Sequence, residues 1–277
     1  MTNFFLRDES AVLNIAHRGG ALVRPENTLL AFRHALAAGA AALEGDLHAT
    51  RDGVVVVCHD PTVDRTTDGR GFIRDMTLRE LKSLDAGCRF TPDRGVTHPF
   101  RGAGLRIPTL EEVFGDPVLA RTPMILEIKQ TEPSIAGRVL DLVRAHAMES
   151  RLIMGSFSRA ALEELRRMAA ERGMGIVTSL AEEEVLIFCL TPLVSMLLGD
   201  YVPPGRVLQV PVRHELEGID VQVVGTLFMA KAGVLGLKVH VWTVNDPQEM
   251  RWLRDEMRAD GIITDDPAGL GEVLRSS

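Results

Sequence analysis

Short apolar runs alternate with segments of helical periodicity along most of the chain. The apolar runs predict β-strands at residues 12–16, 42–47, 54–58, 124–128, 152–154, 175–178, 207–210, 238–244 and 261–264. Apolar side chains at helical spacing, such as Leu162, Leu165 and Met168, predict helices at residues 26–38, 158–172 and 247–258. Strands that alternate with helices pair in parallel, and this number of strands favours a closed α/β barrel over an open sheet.

Two stretches depart from this alternation. The turn at residues 50–53 leaves no room for a crossover helix after the second strand, so we expect the barrel to be irregular there. Residues 61–106 fit neither the strand nor the helix period, and so long a loop in a compact domain is usually functional or inserted. We therefore predict a single domain over residues 1–277, with a small inserted subdomain at about 61–106, after the third strand.

Residues 185–198 are apolar almost throughout and are interrupted by Pro192. This segment is too short to span a bilayer, and the N-terminal residues lack the pattern of a secretory signal. We therefore predict a cytoplasmic protein without stable membrane insertion. Two interpretations of the segment stay open: it forms a barrel helix or lid over the site, or it contacts membrane lipid.

The composition is that of an ordinary globular protein. Of 277 residues, 45% are hydrophobic and 25% are charged, and the formal net charge is −7. Because a net-negative surface repels phosphate backbones, we expect no nucleic-acid partner. The three cysteines, Cys58, Cys88 and Cys189, have irregular spacing, which disfavours a disulfide framework or a zinc site.

Polar side chains stand where the predicted strands end, and α/β barrels carry their catalytic groups at these positions. The candidate site residues are His17, Arg18, Glu44, Asp46, His59, Glu127, Lys129 and Trp242. Glu44 and Asp46 are two positions apart, so their side chains point to the same side of one strand. Inward-facing carboxylates in a barrel are costly unless they are paired or bind a cation.

These residue types indicate phosphoester chemistry. The three acidic candidates offer hard oxygen ligands, which suit one divalent cation, Mg²⁺ or Ca²⁺, better than zinc. Arg18 and Lys129 supply positive charge for a phosphate, the arginine as a fork and the lysine as a point charge. The two histidines ordinarily titrate near neutral pH, so they could divide the proton transfers between them.

An ordered set of short motifs runs from about Ile15 to the end of the chain. The motifs are Ala16-His17-Arg18-Gly19, Pro25-Glu26-Asn27-Thr28, Glu44-x-Asp46, Thr50-x-Asp52-Gly53, His59-Asp60, Arg65-Thr66-Thr67-x-Gly69-x-Gly71, Ile107-Pro108-Thr109-Leu110-Glu111-Glu112, Glu127-Ile128-Lys129, Ser156-Phe157, Val241-Trp242-Thr243-Val244-Asn245 and Asp260-Gly261-Ile262-Ile263-Thr264-Asp265. Together they resemble the glycerophosphodiester phosphodiesterase family. The sequence departs from that family at Gly45, where a bulkier apolar residue is common.

The resemblance implies a TIM-type (β/α)8 barrel of the phosphatidylinositol-phospholipase-C-like superfamily, somewhat irregular and with the family's insertion after the third strand. It implies that His17 and His59 act as general base and general acid. The three acidic candidates then hold the divalent cation, with a further ligand sometimes drawn from Asp60, and the two basic candidates contact phosphate. The family hydrolyses glycerophosphodiesters to sn-glycerol 3-phosphate and an alcohol.

Several alternatives stay open at the level of sequence. The phosphorus is attacked by the glycerol 2-hydroxyl, through a cyclic phosphate, or directly by water. The small-molecule substrate is a deacylated phospholipid or, alternatively, a lysophospholipid cleaved by a lysophospholipase D. A non-catalytic phosphodiester-binding module would lack some candidate groups, and all are present. Trp242 forms either a pocket wall or barrel packing. The head group, the native cation, the initial base and the choice between monomer and homodimer are not determined.

Overall fold

The chain forms a barrel of parallel strands. The structure is a computed structural model that describes residues 2–7, 11–216 and 218–276. Within these residues the strands are β1 (Leu13–Ala16), β2 (Ala42–Ala49), β3 (Val55–Val57), β4 (Met124–Ile128), β5 (Leu152–Gly155), β6 (Val177–Thr178), β7 (Val207–Pro211), β8 (Arg213–Leu216), β9 (Ile219–Gln222), β10 (Lys238–Trp242) and β11 (Gly261–Thr264).

Parallel strands follow one another around the barrel in the order β6, β5, β4, β2, β1, β11, β10, β7. The two ends of this order meet at a parallel bridge between Ser179 and Val207, where Leu180 N donates to Val207 O at 2.9 Å. The predicted closed α/β barrel is therefore confirmed, with a narrow seam between β6 and β7. Helices cover the outer faces of these strands, which explains why the strands appear in the sequence as continuous apolar runs.

The helices are α1 (Leu29–Ala37), α2 (Leu78–Leu81), α3 (Leu110–Gly115), α4 (Ala136–Ala145), α5 (Arg159–Glu171), α6 (Glu182–Leu190), α7 (Leu193–Leu198), α8 (Thr226–Val234), α9 (Pro247–Trp252) and α10 (Pro267–Arg275). Side-chain caps fix several of their starts. Thr28 Oγ1 accepts from Ala31 N at 3.1 Å, so α1 begins later than the prediction of residues 26–38. Asp246 and Asp266 cap α9 and α10, directly before their first-turn prolines.

The floor of the barrel interior is mainly apolar. Six strands each contribute one apolar side chain to it, namely Ile15, Ala42, Ile125, Ile153, Val207 and Ile263. The buried imidazole of His240 on β10 lies at the same end, with its ring centroid 5.7 Å from that of Phe5. Phe5, on a short 3-10 turn at Phe4–Leu6, packs against this layer from below. Asn3 Nδ2 donates to Leu152 O at 2.9 Å and fixes that turn to the barrel. Because strand side chains alternate, the next inward positions lie two residues further on, at the mouth.

β3 differs from the other early strands because it pairs antiparallel with β2 and lies outside the barrel order. The irregularity that the sequence predicts after the second strand is therefore a hairpin. Its turn contains Gly53 at φ +83°, a conformation that glycine adopts readily. β3 runs back along β2, and after it Cys58 N donates to Asp46 O at 2.8 Å. The next residue, His59, therefore lies at the barrel mouth, near Asp46.

Residues 61–106 contain short helical pieces, α2 and a 3-10 turn at Ile73–Asp75. A small apolar cluster, which includes Val63, Ile73 and Leu81, packs this segment against Val56 of β3. The division of the chain into a barrel and an inserted subdomain stays a prediction.

The apolar segment at residues 185–198 forms two helices, α6 and α7, which are separated at Pro192. Leu190 and Leu198 are each 73% exposed. Within the described residues, every helix falls short of the length and apolarity needed to cross a bilayer. The β8–β9 hairpin that follows β7 was not predicted, because its strands are interrupted by charged residues such as Arg213 and Asp220.

A buried ion pair anchors the start of α6 to the barrel. Arg166 of α5 donates to both carboxylate oxygens of Glu184, at 2.6 and 3.0 Å, and to Ser179 O at 2.8 Å. Glu184 in turn accepts from Ala181 N at 2.8 Å. Of three consecutive glutamates, Glu184 is the buried one, so its charge depends on Arg166.

We predict that Arg166→Met lowers the free energy of unfolding by about 3–5 kcal/mol, because it leaves the Glu184 carboxylate buried without its partner. Arg167→Met is the matched control, since Arg167 is exposed and forms a surface ion pair with Glu171 one turn away. The control should lose about 0.3–0.5 kcal/mol. Urea denaturation measures both, and equal losses would contradict the anchoring role of the pair.

Candidate active site

The inward positions of the strands change from apolar to polar at the barrel mouth. Two residues beyond the floor, the chain places His17 after Ile15, Glu44 after Ala42, Glu127 after Ile125, Gln209 after Val207 and Asp265 after Ile263. The alternation of strand side chains thus stacks a polar layer directly on an apolar one.

His17 follows β1 in a tight turn. A Cβ at Gly19, which has φ +81°, would lie 2.8 Å from Ala31 Cβ, so only glycine lets this turn pack on α1. His17 Nδ1 and Asp265 Oδ1 are 2.7 Å apart, and Asn245 Nδ2 donates to Asp265 Oδ2 at 2.9 Å. These hydrogen bonds fix the imidazole ring and leave its Nε2 for a ligand in the cavity.

Three carboxylates converge beside His17. Asp46 of β2 is the register partner of Glu127 on β4, and Glu44 precedes Asp46 on the same face of β2. One oxygen from each lies within 4.8 Å of the others. Glu44 and Asp46 are buried, and Glu127 Oε1 has no hydrogen-bond partner among the described residues. Buried, converging oxygens with a free acceptor fit a hard divalent cation.

The pKa values of these carboxylates reflect their crowding. Burial raises the pKa of Glu44 to about 8, and the negative charge of Asp46 adds to this shift. Burial also raises the pKa of Glu127, although the Lys129 ammonium opposes it. Without more positive charge, the cluster therefore favours the protonated form of at least one carboxyl group.

Arg18 contacts the carboxylates with both its backbone and its side chain. Its N–H donates to Glu44 Oε2 at 2.9 Å, and its guanidinium donates to Glu26 Oε1 at 3.0 Å. The Nε atom lies 3.6 Å from Asp46 Oδ2. Asn27 Nδ2 donates to the same Asp46 oxygen at 2.9 Å. Arg18 is therefore held at the edge of the carboxylate cluster, where it faces the cavity.

Lys129 lies on the opposite side of the cluster. Its Nζ is 2.8 Å from Glu127 Oε2 and 3.5 Å from Asp46 Oδ1. The same ammonium lies 5.2 Å from the centroid of the Phe157 ring. Phe157 packs edge-on against Trp242, with ring centroids 5.8 Å apart, and both rings line the cavity. Trp242 both lines the cavity and packs against the apolar floor, so the choice between its two interpretations stays open.

His59 is oriented by a network that reaches across to Arg18. His59 Nδ1 and Asp60 Oδ1 are 2.7 Å apart. Arg65 donates to both oxygens of Asp60, at 2.7 and 3.1 Å, and to both oxygens of Glu26, at 2.6 and 2.8 Å. Because Glu26 also holds Arg18, Arg65 links the second histidine to the arginine at the carboxylate cluster.

The pKa values of the two histidines are shifted in opposite directions. Burial lowers the pKa of His17, but the hydrogen bond to Asp265 and the charge of Glu44 outweigh it, so the pKa lies above its ordinary value. For His59, burial prevails over the favourable charge of Asp46, and the pKa lies below its ordinary value. A pair of histidines with divergent pKa values is suited to hold one proton between them.

The hydrogen bond from Arg65 is the main cause that lowers the pKa of Asp60 to about 2. Asp60 is therefore ionised at neutral pH and can accept from the His59 imidazole. The Asp60 carboxylate is engaged by His59 and Arg65 and lies outside the three converging carboxylates, so its occasional role as a further metal ligand stays a prediction.

One cavity of about 1010 Å³ contains the whole site. All eight candidate residues predicted from the sequence line it. Beyond them the cavity continues as an apolar arm between α6, α8 and the β8–β9 hairpin. The arm is lined mainly by apolar side chains, and its wall also includes the polar residues Glu182, Glu183, His214, Gln222, Thr226 and Lys231. The apolar residues are Leu180, Val185, Leu186, Cys189, Val210, Pro211, Val221, Val223, Leu227 and Phe228.

Sequence reasoning missed several residues that orient the candidate groups. Asp265 could have been found, because it directly follows the last strand, where catalytic groups are expected. Asn27 and Glu26 stand in a quoted motif, but nothing in their spacing indicates which side chains they contact. Arg65 lies in the aperiodic segment at residues 61–106, where no pattern indicates a neighbour in space.

An α/β barrel with two histidines, three carboxylates and two cationic side chains at its mouth has the architecture of an enzyme that cleaves phosphate esters. Residues 17–269 match the model of the glycerophosphoryl diester phosphodiesterase family. The chain belongs to this family, and so to the phosphodiester hydrolases.

Individual relatives agree with this assignment. A glycerophosphodiester phosphodiesterase of Caldanaerobacter subterraneus subsp. tengcongensis is 33% identical over 269 residues, which cover 95% of this chain and 98% of the relative. A lysophospholipase D of Rattus norvegicus is 29% identical, over 95% of this chain and 86% of the relative.

Solved structures show the same fold. The glycerophosphodiester phosphodiesterase of Agrobacterium tumefaciens superposes with a TM-score of 0.71 at 26% identity, over 94% of this chain and 99% of that one. An Oleispira antarctica phosphodiesterase in complex with the product sn-glycerol-3-phosphate superposes with a TM-score of 0.73 at 25% identity, over 96% of this chain and 98% of that one.

We predict that Arg65→Gln lowers kcat of phosphodiester hydrolysis by about 10–100-fold, because Asp60 and Glu26 lose the group that fixes them relative to each other. Arg65→Lys should recover part of the loss, since a lysine restores the charge but not the fork. Steady-state kinetics on a glycerophosphodiester provide the measurement.

Arg70→Gln is the matched control, because Arg70 is an exposed arginine of the same segment. It should leave kcat unchanged. An Arg65→Gln variant with normal kcat and a lower melting temperature would mean that Arg65 acts on stability alone.

Proposed function

We propose that the protein hydrolyses glycerophosphodiesters to sn-glycerol 3-phosphate and an alcohol, with His17 and His59 as general acid and base. The observation that carries the proposal is the convergence of two oriented histidines on one buried carboxylate cluster. The activity in the name of the Caldanaerobacter relative and the product bound in the Oleispira structure support this substrate class.

In this proposal Glu44, Asp46 and Glu127 hold one divalent cation. All-oxygen ligands favour Mg²⁺ or Ca²⁺ over softer metals. The unpartnered Glu127 Oε1 and the raised pKa of Glu44 support the assignment, because both features are relieved by a cation. When bound, such a cation polarises phosphoryl oxygens and lowers the pKa of a hydroxyl or water next to it.

Arg18 and Lys129 lie on either side of the carboxylates and bind the phosphate of the substrate in the proposal. The guanidinium can donate through two parallel N–H groups to phosphate oxygens, and the ammonium supplies a second positive charge. Their ion pairs with Glu26 and Glu127 hold both side chains in place before the substrate arrives. Preorganised charge of this kind stabilises the transition state without reorientation during the reaction.

The two histidines divide the proton transfers. One Nε2 accepts the proton of the attacking hydroxyl, and the other donates a proton to the departing alcohol. Because Asp265 and Asp60 hold the two Nδ1–H groups, Nε2 is the atom of each ring that exchanges a proton. The base begins as a neutral imidazole with a free Nε2, and the acid begins as an imidazolium that carries an Nε2–H. Attack by the glycerol 2-hydroxyl yields a cyclic phosphate that water then opens, whereas attack by water yields the product in one step.

A reduced, cytoplasmic setting belongs to the same proposal. Cys58 is buried, Cys88 is half-buried and Cys189 is exposed, and all three are free thiols. Burial raises the pKa of Cys58 to about 12, so this thiol stays protonated and unreactive at neutral pH.

A second candidate substrate is a lysophospholipid, for which the enzyme would act as a lysophospholipase D. The apolar arm of the cavity favours it, because a glycerophosphodiester with a small head group has no apolar part that would fill such a volume. An acyl chain would remove the side chains of the arm from water. The name of the rat relative supports this alternative.

Removal of the divalent cation tests the main proposal. We predict that a chelator abolishes hydrolysis of glycerophosphocholine and that Glu127→Gln lowers kcat by at least about 100-fold, since cation chemistry is worth several kcal/mol. Calorimetry should show Mg²⁺ or Ca²⁺ binding to the wild type and weaker binding to Glu127→Gln. Phosphorus NMR follows the reaction, because it distinguishes sn-glycerol 3-phosphate from a cyclic phosphate.

Glu163→Gln is the control for this experiment, because Glu163 is exposed on α5, pairs with Arg159 and does not line the cavity. It should keep full activity and full cation binding. Hydrolysis that continues unchanged in chelator would refute the cation-dependent proposal.

A bulky residue in the apolar arm tests the second candidate. We predict that Val185→Trp lowers kcat/KM for lysophosphatidylcholine by about 10–100-fold and leaves glycerophosphocholine hydrolysis unchanged, because the tryptophan occupies the volume of the acyl chain. Ile187→Trp on the same helix is the control, since Ile187 is 43% exposed and is not part of the cavity wall. Equal loss for both substrates would argue against an acyl-chain arm.

A further inference from the structure

An exposed apolar surface surrounds the opening of the apolar arm. We call it the apolar rim and define it by the exposed side chains of α6, α7, β9 and the start of α8. The apolar ones are Leu186, Ile187, Leu190, Val194, Leu197, Leu198, Ile219, Val221 and Leu227. Their exposure ranges from 37% for Val221 to 73% for Leu190 and Leu198. Soluble proteins rarely leave so many neighbouring aliphatic side chains in water unless the surface binds something.

The apolar rim is continuous with the catalytic cavity. Leu186 of α6, Val221 of β9 and Leu227 of α8 are exposed to solvent and also line the cavity wall. α7 extends the rim because it packs against α8. A molecule that leaves the cavity through its apolar arm therefore passes directly onto the rim.

The charge distribution of the rim is unusual for this protein. Residues 185–199 and 223–230 contain no charged side chain. Lys231, the next residue of α8, is buried and donates from Nζ to Cys189 O at 2.7 Å, so it adds no exposed charge. The exposed charges beside the rim on α6 are the carboxylates of Glu182 and Glu183. Basic residues, which attract anionic lipids, are absent from these two stretches, and the exposed Arg213 beside β9 is paired with Asp220 at 2.7 Å.

We propose that the apolar rim docks the barrel on the surface of a neutral, zwitterionic lipid aggregate, from which the substrate enters the apolar arm. The proposal rests on the second candidate under the proposed function, a substrate with an acyl chain. Insertion of the rim side chains among acyl chains removes them from water. The surrounding acidic residues and the net charge of −7 disfavour an anionic surface.

A lipid surface fits the geometry better than a stable protein partner. Because three rim residues also form the cavity wall, a protein that covered the rim would close the apolar arm to its substrate. A lipid surface covers the same residues and leaves the arm open to the acyl chains beneath it. The break before Pro192 divides the rim between two separate helices, α6 and α7.

Flotation with phosphatidylcholine vesicles tests the proposal. The wild type should float with these vesicles, and the double variant Leu190→Gln/Leu198→Gln should lose at least about tenfold in partition coefficient, because both side chains lie outside the cavity and in the rim. Val118→Gln is the control, since Val118 is 55% exposed at a distant position in the chain and should not affect flotation. All three proteins should hydrolyse soluble glycerophosphocholine at the wild-type rate.

Three results would overturn the docking proposal. The wild type could stay in the soluble fraction, it could bind vesicles that contain phosphatidylserine more tightly than pure phosphatidylcholine, or the double variant could dissociate a stable dimer of the wild type. Each leaves the proposed phosphodiesterase activity untouched, because that activity is measured on a soluble substrate. Conversely, flotation without any hydrolysis would support the docking surface and refute the proposed function.

Discussion

The structure depends on three carboxylates, two of them buried and one half-buried, at the mouth of an apolar barrel. Carboxylates in such a place repel one another and lose the solvation of water, so each needs a compensating partner. Arg18, Lys129 and the amide of Asn27 supply part of the compensation, and the raised pKa of Glu44 shows that it is incomplete. The carboxylate cluster therefore favours one more positive charge. A divalent cation bound together with a phosphodiester would supply that net charge.

The alternation of side chains along the strands places the polar candidate residues together in the cavity. The same period of two that points Ile15, Ala42 and Ile125 into the floor points the residues two further on into the cavity. The side chains that orient the two histidines come from outside the regular strands. Asp265 reaches His17 from the end of β11, and Arg65 reaches Asp60 from the long segment after β3. The barrel sets the height of each catalytic candidate, and the loops set its orientation.

The sequence predicts the barrel well because its strands are buried on both faces and therefore appear as apolar runs. It also predicts the eight candidate residues that line the cavity, since each follows or ends such a run. It does not predict the antiparallel direction of β3, because a short apolar strand has the same pattern in either direction. Nor does it predict the contacts of Arg65, which depend on the path of an aperiodic segment. The β8–β9 hairpin is missed because its polar residues conceal the strand pattern.

The pairing of His17 with Asp265 joins the two extremes of the chain. β1 becomes a neighbour of β11 only when the barrel closes, and the hydrogen bond at 2.7 Å spans 248 positions of sequence. Contacts of such long range form late in folding, since a large loop must first close. A growing chain on the ribosome therefore lacks the partner that orients His17 until β11 has been made. A fragment without β11 keeps the three carboxylates but has no Asp265 to hold the His17 imidazole.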